Sequence, residues 1–540
     1  MKILSRLLFC LIILIGTVCS ISAQNAAKNW VFGNRARIDF NSGSPVASTV
    51  PEGTMSTPEG SSSISDSNGN LLFYTDGLKV WNRNHSQMPN GKNLKGGASS
   101  TQSALIVPCG CNRYFIFTTG EIQQKFRNGF RYSVVDMSAD GGFGDVISTK
   151  NLMPFASEKV AAISDGNRGF WVVAHDIQNS QTGVVGNGFY SYHIRPGSDC
   201  TLNLQPEVIS NVGAIYPVQS YYGIGQMKIS PDGTRLAVAV YGPNGFLELF
   251  QFDTLTGRVS NLPIGSVRSA PTNNLDGFYG VEFSPDSSKL YATTIQGESL
   301  IYRYDIAGDV ISNTLTPTHS RVMRSRDYYV GALQLGPDER IYIASAAGAY
   351  TGNNYVFVLN VPNDPPAGGW VDLPPKVFLG PGSQSRLGLP SMVGGNFSCE
   401  QPRCDQVMQT SFSTPDLSLS GRTFDVYNLK IPVSNICLID IDIRDSGNDQ
   451  PPKLWSAGGL KVNGMPRLVP EWWKSPYVTI PNGMHTVIAG LPNANAPAVS
   501  FNLGLDYSGT FTGKVKLTIR HCDGTFCEWV SDDWTPEPPE

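Results

Sequence analysis

Ile229-Ser-Pro-Asp-Gly-Thr-Arg-Leu-Ala-Val-Ala239 recurs in altered form as Phe283-Ser-Pro-Asp-Ser-Ser-Lys-Leu-Tyr-Ala-Thr293 and Leu335-Gly-Pro-Asp-Glu-Arg-Ile-Tyr-Ile-Ala344. Each copy reads as a strand, a tight turn and a second strand. Pro sets φ for the turn, Asp or Gly tolerates its backbone, and β-branched and aromatic residues follow. Looser copies begin at Ile64, Val107 and Ile163, so anchors at 64, 107, 163, 229, 283 and 335 stand 43, 56, 66, 54 and 52 residues apart. Further alternating runs, Leu247–Asp253, Leu300–Ile306 and Tyr355–Asn360, follow several of these hairpins. Small sheets repeated at about 40–50 residues cannot bury both faces alone, and stacking them radially into a β-propeller solves that problem. Gly223, Gly225, Gly280 and Gly331, near the first strands, suit a crowded centre.

The two ends of this region complete the count. Leu387-Gly-Leu-Pro-Ser-Met-Val393 looks like a seventh first strand without a hairpin, while Trp30-Val-Phe-Gly33 and Arg37–Asn41 look like outer strands without one. Pairing head with tail closes a ring of seven blades, with six as the alternative. Beyond Cys399 the repeat stops, and short alternating runs at Phe424–Tyr427, Ile439–Ile443, Tyr477–Ile480, Val499–Leu505 and Val515–Ile519 read as a β-sandwich. The expected organisation is therefore all-β, with a leader at 1–23, a propeller over 24–398 and a sandwich over 399–540. No amphipathic helix longer than a turn or two is expected.

Composition agrees. Of 540 residues, 93 are Gly or Pro and only 16% are charged, a balance that favours turn-rich β structure. Forty basic against forty-four acidic side chains leave no positive field to hold nucleic acid or an anionic membrane. Lys2 and Arg6, the apolar run Leu7–Cys19 and Ser20-Ile-Ser-Ala23 have the layout of a cleavable export signal, with Gln24 as the mature start. No later stretch is apolar enough to span a bilayer as a helix, so a secreted or surface-associated product is expected. Eight cysteines remain after Cys10 and Cys19, an even number that reads as disulfides in an exported chain. Cys522 with Cys527, across an Asp-Gly turn, and Cys399 with Cys404 are the expected short-range pairs; Cys109-Gly-Cys111 stays open between disulfide and zinc, with metal disfavoured.

Residues 29–397 also resemble a family of secreted bacterial WD-like β-propeller proteins. The resemblance rests on Asn29-Trp-Val-Phe-Gly-Asn34, Ile38-Asp-Phe40, Glu59-Gly60, Ile64 to Gly77, Val80-Trp-Asn-Arg-Asn-His85, Met88-Pro-Asn-Gly91, Thr101-Gln-Ser-Ala104 and Ser385-Arg-Leu-Gly-Leu-Pro390. It implies an outer-surface protein of the kind often carried by type IX secretion, and it brings no catalytic residues.

The six histidines form no H-E-x-x-H, H-x-H or Cys-His array, and neither a nucleophile elbow nor a phosphate loop is found, so no catalytic residue, metal or cofactor is assigned. Asp66-Ser-Asn68-Gly-Asn70 spaces oxygens as a calcium loop does, but reads better as a polar turn. If first strands run toward the Ser-Pro-Asp-Gly turns, their starts meet the ends of second strands at the opposite mouth of the channel. That rim collects Glu59, Asp76, Gln102, Glu121, Glu158, Lys159, His175, Asp176, Tyr222, Tyr241, Tyr279, Gln296, Asp327, Tyr329 and Arg386. Acids, amides and rings together suit a glycan or a peptide, although each could equally bond a neighbouring blade. The leading reading is a binding or adhesion platform for protein or polysaccharide. The alternative is a glycoside hydrolase or lyase using two rim carboxylates. Trp472-Trp473 offers a second sugar-stacking ring or a seam contact.

Overall fold

The computed structural model describes residues 25–394 except 110–111, 167–168, 196–199, 201, 262–266, 270–276, 296–298, 307–318, 326–328, 349–350 and 364–374; beyond 394 it describes only the backbone of strands between 408 and 530. The chain divides into two compact units, residues 1–399 and 400–540. The export signal, Cys399, Cys404, Cys522 and Trp472-Trp473 lie outside the described residues, as does the side chain of Cys527.

Seven small antiparallel sheets make the first unit a seven-bladed β-propeller. The repeat copies fold as expected. In blade 4, Met227–Ile229 pairs with Arg235–Ala239, which pairs with Leu247–Asp253 and so to Arg258–Ser260. The Asp232 carboxylate accepts from the Thr234 amide and both hydroxyls of the turn, Ser230 and Thr234, which fixes the hairpin. Asp66 does the same work in blade 1, accepting from the Asn68 and Asn70 amides, so it is a turn residue. Counting from blade 1, the inner strands are Ser62–Ser65, Ala104–Pro108, Val160–Ser164, Met227–Ile229, Val281–Phe283 and Tyr329–Leu335. Besides the helical residues Asn25 and Ala26, the described helical elements are 3-10 turns of three residues.

Blade 7 is built from both ends. Asn29–Phe32, Ala36–Asp39 and Val46–Thr49 form its sheet, and Asn34 exchanges two backbone hydrogen bonds with Gln384 at 2.9 Å. Trp30, Phe32 and Leu389 share one apolar cluster with Ala332 and Tyr342 of blade 6, so head and tail close the ring through a common core. One detail departs from expectation. The segment 387–394 forms no ladder with the Trp30 strand; its backbone bonds instead to Pro58, Ser61, Ala162 and Ala332 of blades 1, 3 and 6. A Cβ on Gly331 would stand 2.1 Å from the Leu387 carbonyl oxygen, so glycine is what lets the tail lie against blade 6.

Cys109 pairs with Cys200 rather than with Cys111, joining blade 2 to the segment before the last strand of blade 3 across 91 residues of chain. The second unit contains two antiparallel sheets, one including Thr423–Ile431 and Val499–Tyr507, the other including Ile436–Arg444 and Lys514–His521.

Cross-linking so long a loop restricts the unfolded chain, an effect on the order of 2–5 kcal/mol. Replacing Cys109 and Cys200 together by Ser is expected to lower the thermal midpoint of the oxidised protein by several degrees in calorimetry. An unchanged midpoint would show that this bridge does not form.

Candidate functional site

An inner strand is a sheet edge, so its outward amides need partners inside the channel. Two glutamines supply them. Gln102 Oε1 accepts from the Val160 amide at 3.2 Å and the Met227 amide at 2.8 Å, tying blade 2 to blades 3 and 4. Gln226 Oε1 accepts from Val281 at 3.2 Å and Leu333 at 2.9 Å, tying blade 4 to blades 5 and 6. Nearer the hairpin-turn end, Lys228 pairs with Glu282 at 2.9 Å and donates to Gln334. These cross-links bond the inner strands of blades 2 to 6 to one another.

At the mouth, three carboxyl groups gather. Glu59, part-buried, accepts from the Tyr279 hydroxyl at 2.8 Å and the Ser99 hydroxyl at 2.9 Å. Glu121 accepts from the Ser99 amide and the Gln124 side chain. Glu158, fully buried, accepts from the Thr101 amide and hydroxyl, both at 2.9 Å, and from the Ile122 amide at 3.1 Å. Burial pushes Glu59 up to about 7, and burial together with the charge of Glu59 pushes Glu158 up to about 8. Among the described residues none of the three is ion-paired. Tyr279, packed between them, is held well above the ordinary phenol range by burial and the adjacent Glu59.

Beside this cluster, Lys159 is also fully buried, and its ammonium donates to the carbonyls of Ile224, Gly225 and Ala239 at 2.6–3.0 Å. Burial lowers it to about 7 against the opposing pull of Glu158 and Glu248. His175 stacks on Tyr216 at 4.0 Å, and burial holds it neutral, down to about 3. Asp176 accepts from the Gly188 amide, and burial lifts it to about 6. Tyr241, Tyr279 and Tyr329 join Ile295 and Leu387 in an apolar cluster. Tyr222 packs against the apolar cluster shared by blades 3 and 4.

Thus most of the expected rim residues do converge around the mouth, largely as bonds between blades. Asp76 caps a turn of blade 1 through the Leu78 and Lys79 amides, and its carbonyl accepts from the Ser103 hydroxyl of blade 2. Arg386 lies on the closing tail, where its Nε is buried without a hydrogen-bond partner and burial lowers its pKa. Gln296 and Asp327 lie outside the described residues. Tyr221 is a mouth residue that the sequence pattern does not single out: its ring is half exposed, while its expected neighbour Tyr222 is more buried.

No family model matches the chain, and no curated protein matches it. Among solved structures it is similar to a protein from Bacteroides uniformis that carries the name 6-phosphogluconolactonase, at 11% identity and a TM-score of 0.37, over 65% of this chain and 97% of that one. It is also similar to a periplasmic gluconolactonase of Pseudomonas aeruginosa, at 15% identity and a TM-score of 0.35, over 58% and 94% of the two chains. A chain of the mitotic checkpoint complex is similar at 14% identity and a TM-score of 0.36, over 59% and 83%. Likeness at this level carries no assignment of activity.

The raised carboxyl groups have a sign that can be measured. Between the unfolded value near 4.5 and about 7, the folded protein holds a proton on Glu59 that the unfolded chain has lost, so this group's contribution falls as pH rises. Glu59→Gln retains an acceptor for Tyr279 and removes that titration. The thermal midpoint of the variant relative to the parent is expected to rise steadily from pH 5 to pH 7.5. A difference independent of pH would mean that Glu59 ionises normally.

Proposed function

We propose that this chain is an exported binding protein of the bacterial surface, whose propeller holds a ligand on the mouth face around Glu59, Glu121 and Tyr222, and whose 399–540 unit is an accessory adhesion module. The observation that carries this reading is the set of bonds between inner strands. Among the described residues, Gln102, Gln226 and Lys228 are each engaged by groups of other blades, so these inner polar side chains hold blades together rather than face a scissile bond. A retaining or inverting glycosidase needs a pair of carboxyl groups, about 5–9.5 Å apart, facing the sugar. Glu158 is fully buried and already accepts three hydrogen bonds, which removes it from contact with substrate or water. A rigid, cross-linked mouth instead suits recognition, because little order is lost on binding.

The export half of the proposal draws on the leader-like residues 1–23, on the Cys109–Cys200 bridge, which oxidising compartments favour, and on the resemblance to type IX-secreted propellers. Among the described residues no helix is long and apolar enough to cross a membrane.

Purified residues 24–540 sedimented with the envelope fraction of the producing bacterium should bind saturably, releasing neither reducing ends nor peptides. Release of fragments that stops in Glu59→Gln would replace the binding reading with the hydrolase. Absence of saturable binding would contradict the proposal.

A further inference from the structure

Tyr221 opens a three-residue 3-10 turn, Tyr221–Gly223, on the mouth face between blades 3 and 4. The turn is firmly held: Ser220 donates its hydroxyl to the Pro217 carbonyl and accepts from the Tyr222 amide, and the Ile224 amide donates to the Tyr221 carbonyl. The Tyr221 ring, 50% exposed, stands edge-on to buried Tyr241, with centroids 6.3 Å apart and planes at 78°. Gly242, at φ +111°, lets the next loop close against it, since a Cβ there would meet the Tyr221 Cβ at 2.7 Å. Tyr222 is fixed in turn, edge-on to Phe246 at 5.6 Å and donating its hydroxyl to the Pro243 carbonyl. The result is a flat aromatic face whose orientation is set before any ligand arrives.

The surroundings select the ligand. The two stretches that carry Tyr221 and the loop closed against it, 215–224 and 241–246, contain no Asp, Glu, Lys or Arg. Their exposed polar side chains include Gln219 and Asn244, each able to donate and accept. A nucleic acid or an acidic polymer would need cations here. A protein partner would need an apolar centre within some 800 Å² of contact, whereas the exposed large apolar side chains of these two loops are Tyr221 and Ile215. A pyranose fits: its C–H face lies on the ring and its hydroxyls reach the amides.

We propose that Tyr221 is the stacking platform of a binding site for a neutral polysaccharide, with Gln219 and Asn244 hydrogen-bonding the sugar bound on it. The inference rests on the mouth-face binding reading and narrows it to one chemical class.

Two arms test it. In native gels carrying soluble xyloglucan, galactomannan or dextran, the parent protein should be retarded by at least one. Tyr221→Phe should be retarded equally and Tyr221→Ala roughly tenfold more weakly, with its thermal midpoint unchanged because the ring is half exposed. In the second arm, the envelope fraction is treated beforehand with protease or with periodate. Binding should survive protease and disappear after periodate. Binding lost to protease and kept after periodate would overturn the glycan inference while leaving the binding reading intact. Equal retardation of Tyr221→Ala would overturn the role of the ring, and retardation of no variant in any gel would overturn the neutral class. Absence of binding even to untreated envelope would remove the broader reading as well.

Discussion

The propeller depends on satisfying the amides of its innermost strands. Each inner strand gives one edge to a sheet and turns the other toward the axis, where an unpaired N–H costs roughly 1–3 kcal/mol if buried dry. Wide propellers leave that edge to water. Here Gln102 and Gln226 each accept two such amides from different blades, and Ser62 accepts the Ile106 amide while donating to the Ser391 carbonyl. The tail supplies main-chain partners to blades 1, 3 and 6. Ring closure and inner-edge pairing are thus one arrangement, since the segment that joins head to tail also pairs the inner edges.

This arrangement leaves the inner polar groups engaged by protein. Groups that look like a polar hub, Glu158 and Lys159 above all, are engaged by backbone amides and carbonyls, and burial shifts both toward their neutral forms. Such groups hold loops in place. What the outside world meets is the surface those loops present, and between blades 3 and 4 that surface is a fixed aromatic ring set among amides.

The blades were legible because strand, turn and strand are adjacent in the chain, so Ser-Pro-Asp-Gly and its variants carry their own geometry. Closure was legible too, because the segments around Trp30 and Leu389 each lack a Ser-Pro-Asp-Gly-like hairpin of their own. Pairings that depend on the closed ring were not. The amide of Gln102 meets Met227, 125 positions away, only once three blades have stacked. Cys109 meets Cys200 for the same reason, with the nearer Cys111 a decoy. Of the two tyrosines at 221–222, periodicity could not say which faces solvent, because a 3-10 turn rather than a strand sets their directions. Whether a rim residue such as Glu158 or Gln102 faces a ligand or a neighbouring blade is decided by contacts between blades distant in sequence, which no local pattern encodes.

The direct measurement is native-state hydrogen exchange of residues 24–540, read by mass spectrometry on peptides covering 158–164, 225–230, 280–284, 331–335 and 385–394. If the tail and the cross-channel glutamines hold the inner edges in one network, all five peptides should exchange together, in the slowest class, through global opening. Fast exchange of 385–394 while the inner strands stay protected would show that the ring closes without the tail, and would contradict a single network of closure and inner-edge pairing.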